Sequence, residues 1–146
     1  TGEDTLSYTT LFRSVRGKEL LRINAKYYSV DATLRNLIVG STGRDTGHIL
    51  ENIVFLELIR RGYTVYVGQL AKGEIDFVAE KAGITEYYQV SETVLDPNTL
   101  NRELAPLEAI NDQYPKFLLT LDELNKNANY DGIQQRNVLE WLLETR

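Results

Sequence analysis

The sequence predicts an α/β domain: a helix, three β-strands, a second helix and a further strand, building a mixed central sheet flanked by helices. Three observations carry this. An apolar stripe of helical period runs from His48 to Arg61, three β-branched and aromatic runs come after it, and a second helical pattern then leads into a continuous apolar run from Phe117 to Leu121.

The first helix rests on Ile49, Leu50, Ile53, Val54, Phe55, Leu56, Leu58 and Ile59, with Gly62 placed to stop it at the C-cap. Thr64-Val65-Tyr66-Val67 begins the strands. Two more, Glu74 to Glu80 and Thr85 to Ser91, are joined through Lys81-Ala82-Gly83. Asp96-Pro97 opens the second helix, on which Leu100, Leu104, Leu107 and Ile110 recur at spacings of four, three and three and which Pro106 is expected to bend. After Pro115 the run Phe117-Leu118-Leu119-Thr120-Leu121 suits a strand buried on both faces. A last strand near Gln135 to Val138 leads into a short amphipathic helix carrying Trp141, and no internal repeat appears.

Upstream, Lys18 to Asp31 alternates as a small hairpin and Asp31 can cap a short helix through Leu37. Gly40-Ser41-Thr42-Gly43-Arg44-Asp45-Thr46-Gly47 is a loop by composition. Residues Tyr8 to Ser14 read like the conceptual translation of a sequencing adapter, and no hydrophobic periodicity ties Thr1 to Ser14 to the rest of the chain. The expected division is therefore 1–14 as a non-native scar, 15–47 as the remnant of an upstream region with its linker, and 48–146 as the domain proper.

Composition narrows the function. The 146 residues are 42% hydrophobic and 25% charged with ten Gly and three Pro, so disorder and collagen are out and one domain is the expectation. No cysteine and one histidine, His48, exclude thiolate and multi-histidine zinc sites and leave only hard-cation, carboxylate-type metal sites. No P-loop is present, because Gly47 is followed by His48 rather than Lys, and no G-x-S-x-G elbow accompanies Ser41. A net charge of −5 is the wrong sign for a non-specific DNA binder, so a nucleic-acid role would need a local patch or a partner. No run approaches the roughly 18 apolar residues of a membrane span, and with no signal peptide the expected place is the cytoplasm.

Three residues carry candidate chemistry. Glu51 has Val54, Phe55 and Leu58 at i+3, i+4 and i+7, which puts a carboxylate on the face the helix must bury. Strand alternation sets Ile75, Phe77 and Ala79 on one face and Glu74, Asp76 and Val78 on the other. On the next strand Tyr87, Gln89 and Ser91 point one way and Tyr88 and Val90 the other, so the tight turn brings Asp76 near Gln89. Glu51, Asp76 and Gln89 are expected to converge. Glu57, with Arg60 and Arg61 at i+3 and i+4, is expected to make a surface pair.

A helix Glu, then Gly73-Glu74-Ile75-Asp76-Phe77-Val78, a short turn, and Tyr87-Tyr88-Gln89-Val90-Ser91 resembles the PD-(D/E)XK nuclease-like fold and its αβββαβ core. In active members the matching Glu, Asp and Glu or Gln bind a divalent cation such as Mg²⁺, and a Lys two residues on assists attack on the phosphodiester. The fragments Gly47-His48-Ile49-Leu50-Glu51-Asn52, Arg60-Arg61-Gly62-Tyr63, Glu74-Ile75-Asp76-Phe77-Val78 and Tyr114-Pro115-Lys116 are similar to the C-terminal domain of a prokaryotic family of AAA+ ATPases. That resemblance implies an upstream ATPase module, with ATP bound only there, and makes residues 15–47 the end of a winged-helix region.

Ser91 stands where the resemblance calls for Lys. The expectation is thus a degenerate, non-catalytic module that recognises nucleic acid or a protein partner. The competing reading is a divalent-metal endonuclease using Glu51, Asp76 and Gln89, for which Lys72, Lys81 or Lys116 would have to reach Asp76. A third is an oligomerisation piece. Tyr27, Tyr28, Tyr63, Tyr66, Tyr87 and Tyr88 are read as packing residues before base-stacking ones, and Arg60-Arg61 as a solvated helix end before a phosphate contact.

Overall fold

A computed structural model describes residues 7–10, 46–71 and 73–144. The hairpin at Lys18 to Asp31, the helix after Asp31 and Lys72 lie outside the described residues. Strand β1 (Ser7–Thr10) is followed by α1 (Thr46–Arg60), β2 (Thr64–Leu70), β3 (Gly73–Lys81) and β4 (Ile84–Val90). Then come α2 (Pro97–Glu108), β5 (Lys116–Thr120), β6 (Asn129–Tyr130), β7 (Ile133–Asn137) and α3 (Val138–Leu143). Among the described residues the strands form one mixed sheet in the order β1-β2-β3-β4-β5-β7-β6.

The first four strands pair antiparallel, whereas β4–β5 and β5–β7 are parallel. A parallel neighbour cannot be reached by a tight turn, and α2 makes the crossover from β4 to β5. Asp96 caps α2 by accepting the Thr99 N–H at 2.9 Å, and Pro97 occupies its first turn, where a missing N–H costs nothing. Pro106 falls near the helix end, which comes at Glu108. Ser7–Thr10 pairs along β2, so part of the stretch expected to be unconnected to the domain lies on the sheet's edge.

Helices cover both faces. Leu50, Val54, Phe55 and Leu58 of α1 and Val138 and Trp141 of α3 pack on Phe77, Ala79, Tyr88, Val90, Phe117 and Leu119. Leu104 and Leu107 of α2 pack on the other face with Val78, Tyr87, Leu118 and Ile133. The apolar run of β5 therefore sends Phe117 and Leu119 into one layer and Leu118 into the other, as its central position requires.

One alternation differs from expectation. Ile75 packs with Val78 in the α2 layer rather than with Phe77 and Ala79. The cause is a register shift: Tyr66 pairs with Val78 and Gly68 with Ile75, leaving Val67 opposite both Asp76 and Phe77. The extra residue is a bulge, which breaks the period of two at Asp76.

Arg61 also differs from the solvated helix end expected of it. Its side chain is 2% exposed, against 66% for Arg60. The guanidinium donates to Trp141 O at 2.6 Å and Glu144 O at 3.3 Å, pairs with Glu57 at 2.6 Å and lies 4.2 Å from the Trp141 ring centre. It joins the end of α1 to α3, so it is a structural contact and not a phosphate ligand.

These contacts have two measurable consequences. Trp141→Ala should cost about 3–5 kcal/mol in denaturant unfolding, because the ring is almost wholly buried, while Leu143→Ala at an 83% exposed site should change stability by less than about 0.5 kcal/mol. The Arg60 guanidinium, hydrogen-bonded to Glu57 and assisted by Arg61, holds the Glu57 carboxyl down at about 2 instead of 4.5. The unfolded chain takes up that proton first, so the contribution is complete above about pH 4.5 and is lost as pH falls towards 2. Glu57→Gln should flatten this part of the acid unfolding profile.

Candidate functional site

The site lies where β3 and β4 part. Their ladder runs from Lys81–Ile84 to Phe77–Tyr88, and the next pair in register is Asp76 with Gln89. Here side chains take over the hydrogen bonding. Val90 N–H donates to Asp76 Oδ2 at 2.9 Å, and Asp76 N–H donates to Gln89 Oε1 at 3.3 Å. The bulge puts Asp76 out of the regular pleat, and the tight turn brings Gln89 opposite it, as the sequence predicts.

A residue not singled out from the sequence completes the arrangement. Gln89 Nε2 donates to Glu103 Oε2 of α2 at 3.0 Å, and Arg102 donates to the other oxygen, Oε1, at 3.0 and 3.2 Å. A signal for Glu103 was available: it has Leu100 at i−3 and Leu107 at i+4, the same placement on an apolar helix face that draws attention to Glu51.

Glu51 is half-buried on α1, its side chain 17% exposed, with Oε1 4.0 Å from His48 Nδ1. It stands in the layer opposite α2. Hydrogen bonds link Asp76 to Gln89 and Gln89 to Glu103. Beside Glu51, Asn52 is 3% exposed, and neither Nδ2 nor Oδ1 has a hydrogen-bond partner among the described residues.

Ser91 follows the end of β4. Its hydroxyl donates to Thr93 O at 3.1 Å and its N–H to Leu119 O at 3.0 Å, so it stitches the strand end to β5. Lys81 and Lys116, the two candidate lysines among the described residues, are held by other partners. Lys81 donates to Arg61 O at 2.7 Å from the far end of β3, five residues or about 17 Å along the strand from Asp76. Lys116, opposite Tyr87 at the start of β5, donates to Asp112 O at 3.0 Å and to Asp112 Oδ1 at 3.2 Å. Tyr87 and Tyr88 are buried, with their hydroxyls on Asp112 and Glu86, and present no face to a base.

The Asp76 and Gln89 side chains are engaged with backbone and side-chain partners within the fold. The Gln89 oxygen, the only ligand atom of that side chain suited to a hard cation, accepts the Asp76 N–H, while its nitrogen points to Glu103. Among the described residues no three His, Cys, Asp or Glu side chains are gathered as a metal-holding group.

No protein-family model matches the chain, and no solved structure does. The chain is similar to an uncharacterized protein of Haemophilus influenzae, with 42% identity over 139 residues, 95% of this chain and 34% of that protein. It thus spans about a third of the length of the curated relative it matches. Among the described residues no helix is long and apolar enough to cross a membrane.

The Asn52 amide gives a test of the packing beside Glu51. Leu has the same branched skeleton as Asn, with larger methyl ends, and brings no unmet polar atoms, so Asn52→Leu should raise the unfolding free energy by about 1 kcal/mol. A loss of stability would mean that the amide is hydrogen-bonded or that the site has no room for the two methyl groups.

Proposed function

We propose that the chain is a non-catalytic, PD-(D/E)XK nuclease-like module of a larger protein, an AAA+ ATPase in which this part recognises a partner or regulates the ATPase. The observation that carries the reading is the engagement of Gln89. Its carboxamide is used at both ends, by Asp76 N–H and by Glu103, so the position that would hold a cation serves as a bridge between β4 and α2. The departure at Ser91 adds to this, since its hydroxyl closes a local turn and supplies no positive charge. Losing one preorganised electrostatic group typically raises a barrier by about 2.7–4 kcal/mol.

The helix–three strands–helix–strand order and the placement of Asp76 beside Gln89 support the nuclease-like descent. Similarity to about a third of a longer protein supports a module within a larger chain, with ATP bound in an upstream part. Between the two partner classes a protein is favoured over nucleic acid. The net charge is −5, Arg61 is spent inside the fold, and Tyr87 and Tyr88 are core residues. The working place of such a module is the cytoplasm.

The test is a cleavage assay on single- and double-stranded DNA and RNA with Mg²⁺ or Mn²⁺. The protein is expected to cleave none of them faster than its Asp76→Ala variant. Cleavage that Asp76→Ala abolishes would establish the endonuclease using Glu51, Asp76 and Gln89 instead.

A further inference from the structure

We propose that Glu103 is a positioning residue that sets the chemistry of position 89, holding the Asp76 site in its hydrogen-bonded form and making an amide the side chain that fits there. This rests on the reading of the site as non-catalytic and adds a residue from a third element. An ionised carboxylate only accepts hydrogen bonds. Glu103 presents Oε1 to Arg102 and Oε2 to Gln89, so its orientation is fixed from the solvent side and its inner oxygen requires a donor. The Gln89 amide is that donor.

The opposite end of the same side chain has the opposite need. Asp76 N–H, released from the β3–β4 ladder, requires an acceptor, and Gln89 Oε1 is it. A carboxamide satisfies both neighbours at once because one end donates and the other accepts. A carboxylate satisfies only Asp76 N–H and turns a negative oxygen towards Glu103, in a place where both Asp76 and Gln89 are buried and the Glu103 side chain is only 13% exposed. Like charges at that depth are poorly screened. Through this pair α2 is tied to the point where the two strands separate, and the pair accounts for the neutral residue at 89 without reference to any reaction.

The pair can be inverted, which makes a test in the intact chain. Gln89→Glu alone should lower the melting temperature by about 4–8 °C at neutral pH. Gln89→Glu combined with Glu103→Gln restores one donor and one acceptor across the gap, and should return the melting temperature to within about 2 °C of the parent. Independently, the side-chain amide resonance of Gln89 in an ¹⁵N–¹H spectrum should move on Glu103→Ala. An unchanged melting temperature in Gln89→Glu, a double variant no better than the single, or an unmoved Gln89 resonance would overturn the assignment. If Gln89→Glu does not fold, the double variant must fold, and failure of both also overturns it. None of these results depends on cleavage, so they stand or fall apart from the nuclease assay.

Discussion

The parallel pairing of β4 with β5 is the constraint on which the arrangement depends. Two parallel neighbours demand a long connection that crosses a face of the sheet, and in this chain α2 is that connection. With α1 and α3 on one face, α2 lies on the other. Its apolar side seats Leu104 and Leu107 on the sheet, and the residue beside them, Glu103, is carried to the end of β4. The position of one carboxylate thus follows from the direction of two strands.

A second constraint is local. Antiparallel β3 and β4 could have continued their ladder past Phe77 and Tyr88, but the bulge opposite Val67 takes Asp76 out of step. Its N–H and the N–H of Val90 then find side-chain acceptors in place of backbone ones. Buried backbone donors must be satisfied somewhere, and this requirement turns Asp76 and Gln89 into members of the sheet's own hydrogen-bonding system.

Much of this was legible in the residues. Helical and strand periods placed α1, α2 and the five long strands to within a few positions, since both layers are built from regular apolar repeats. The approach of Gln89 to Asp76 was legible because a turn as tight as Lys81–Gly83 leaves little choice of register. The bulge was not, because nothing in Glu74-Ile75-Asp76-Phe77 distinguishes an extra residue from a regular pleat. Nor was the burial of Arg61, which depends on the carbonyls of Trp141 and Glu144, some eighty positions away in sequence. Glu103 was within reach of the argument applied to Glu51, but its partner is a neutral amide, and charge pairing alone does not point to it.

The Arg61 contact also makes the two ends of the α1–α3 layer interdependent. A guanidinium enclosed by Glu57, the Trp141 ring and two carbonyls loses the ring and both acceptors if α3 lifts away, so this helix resists the fraying that six residues would otherwise show. Any pull on α3 is felt at the last turn of α1, on the same helix that carries Glu51 and Asn52. The short helix works in this sense as a keystone rather than a tail.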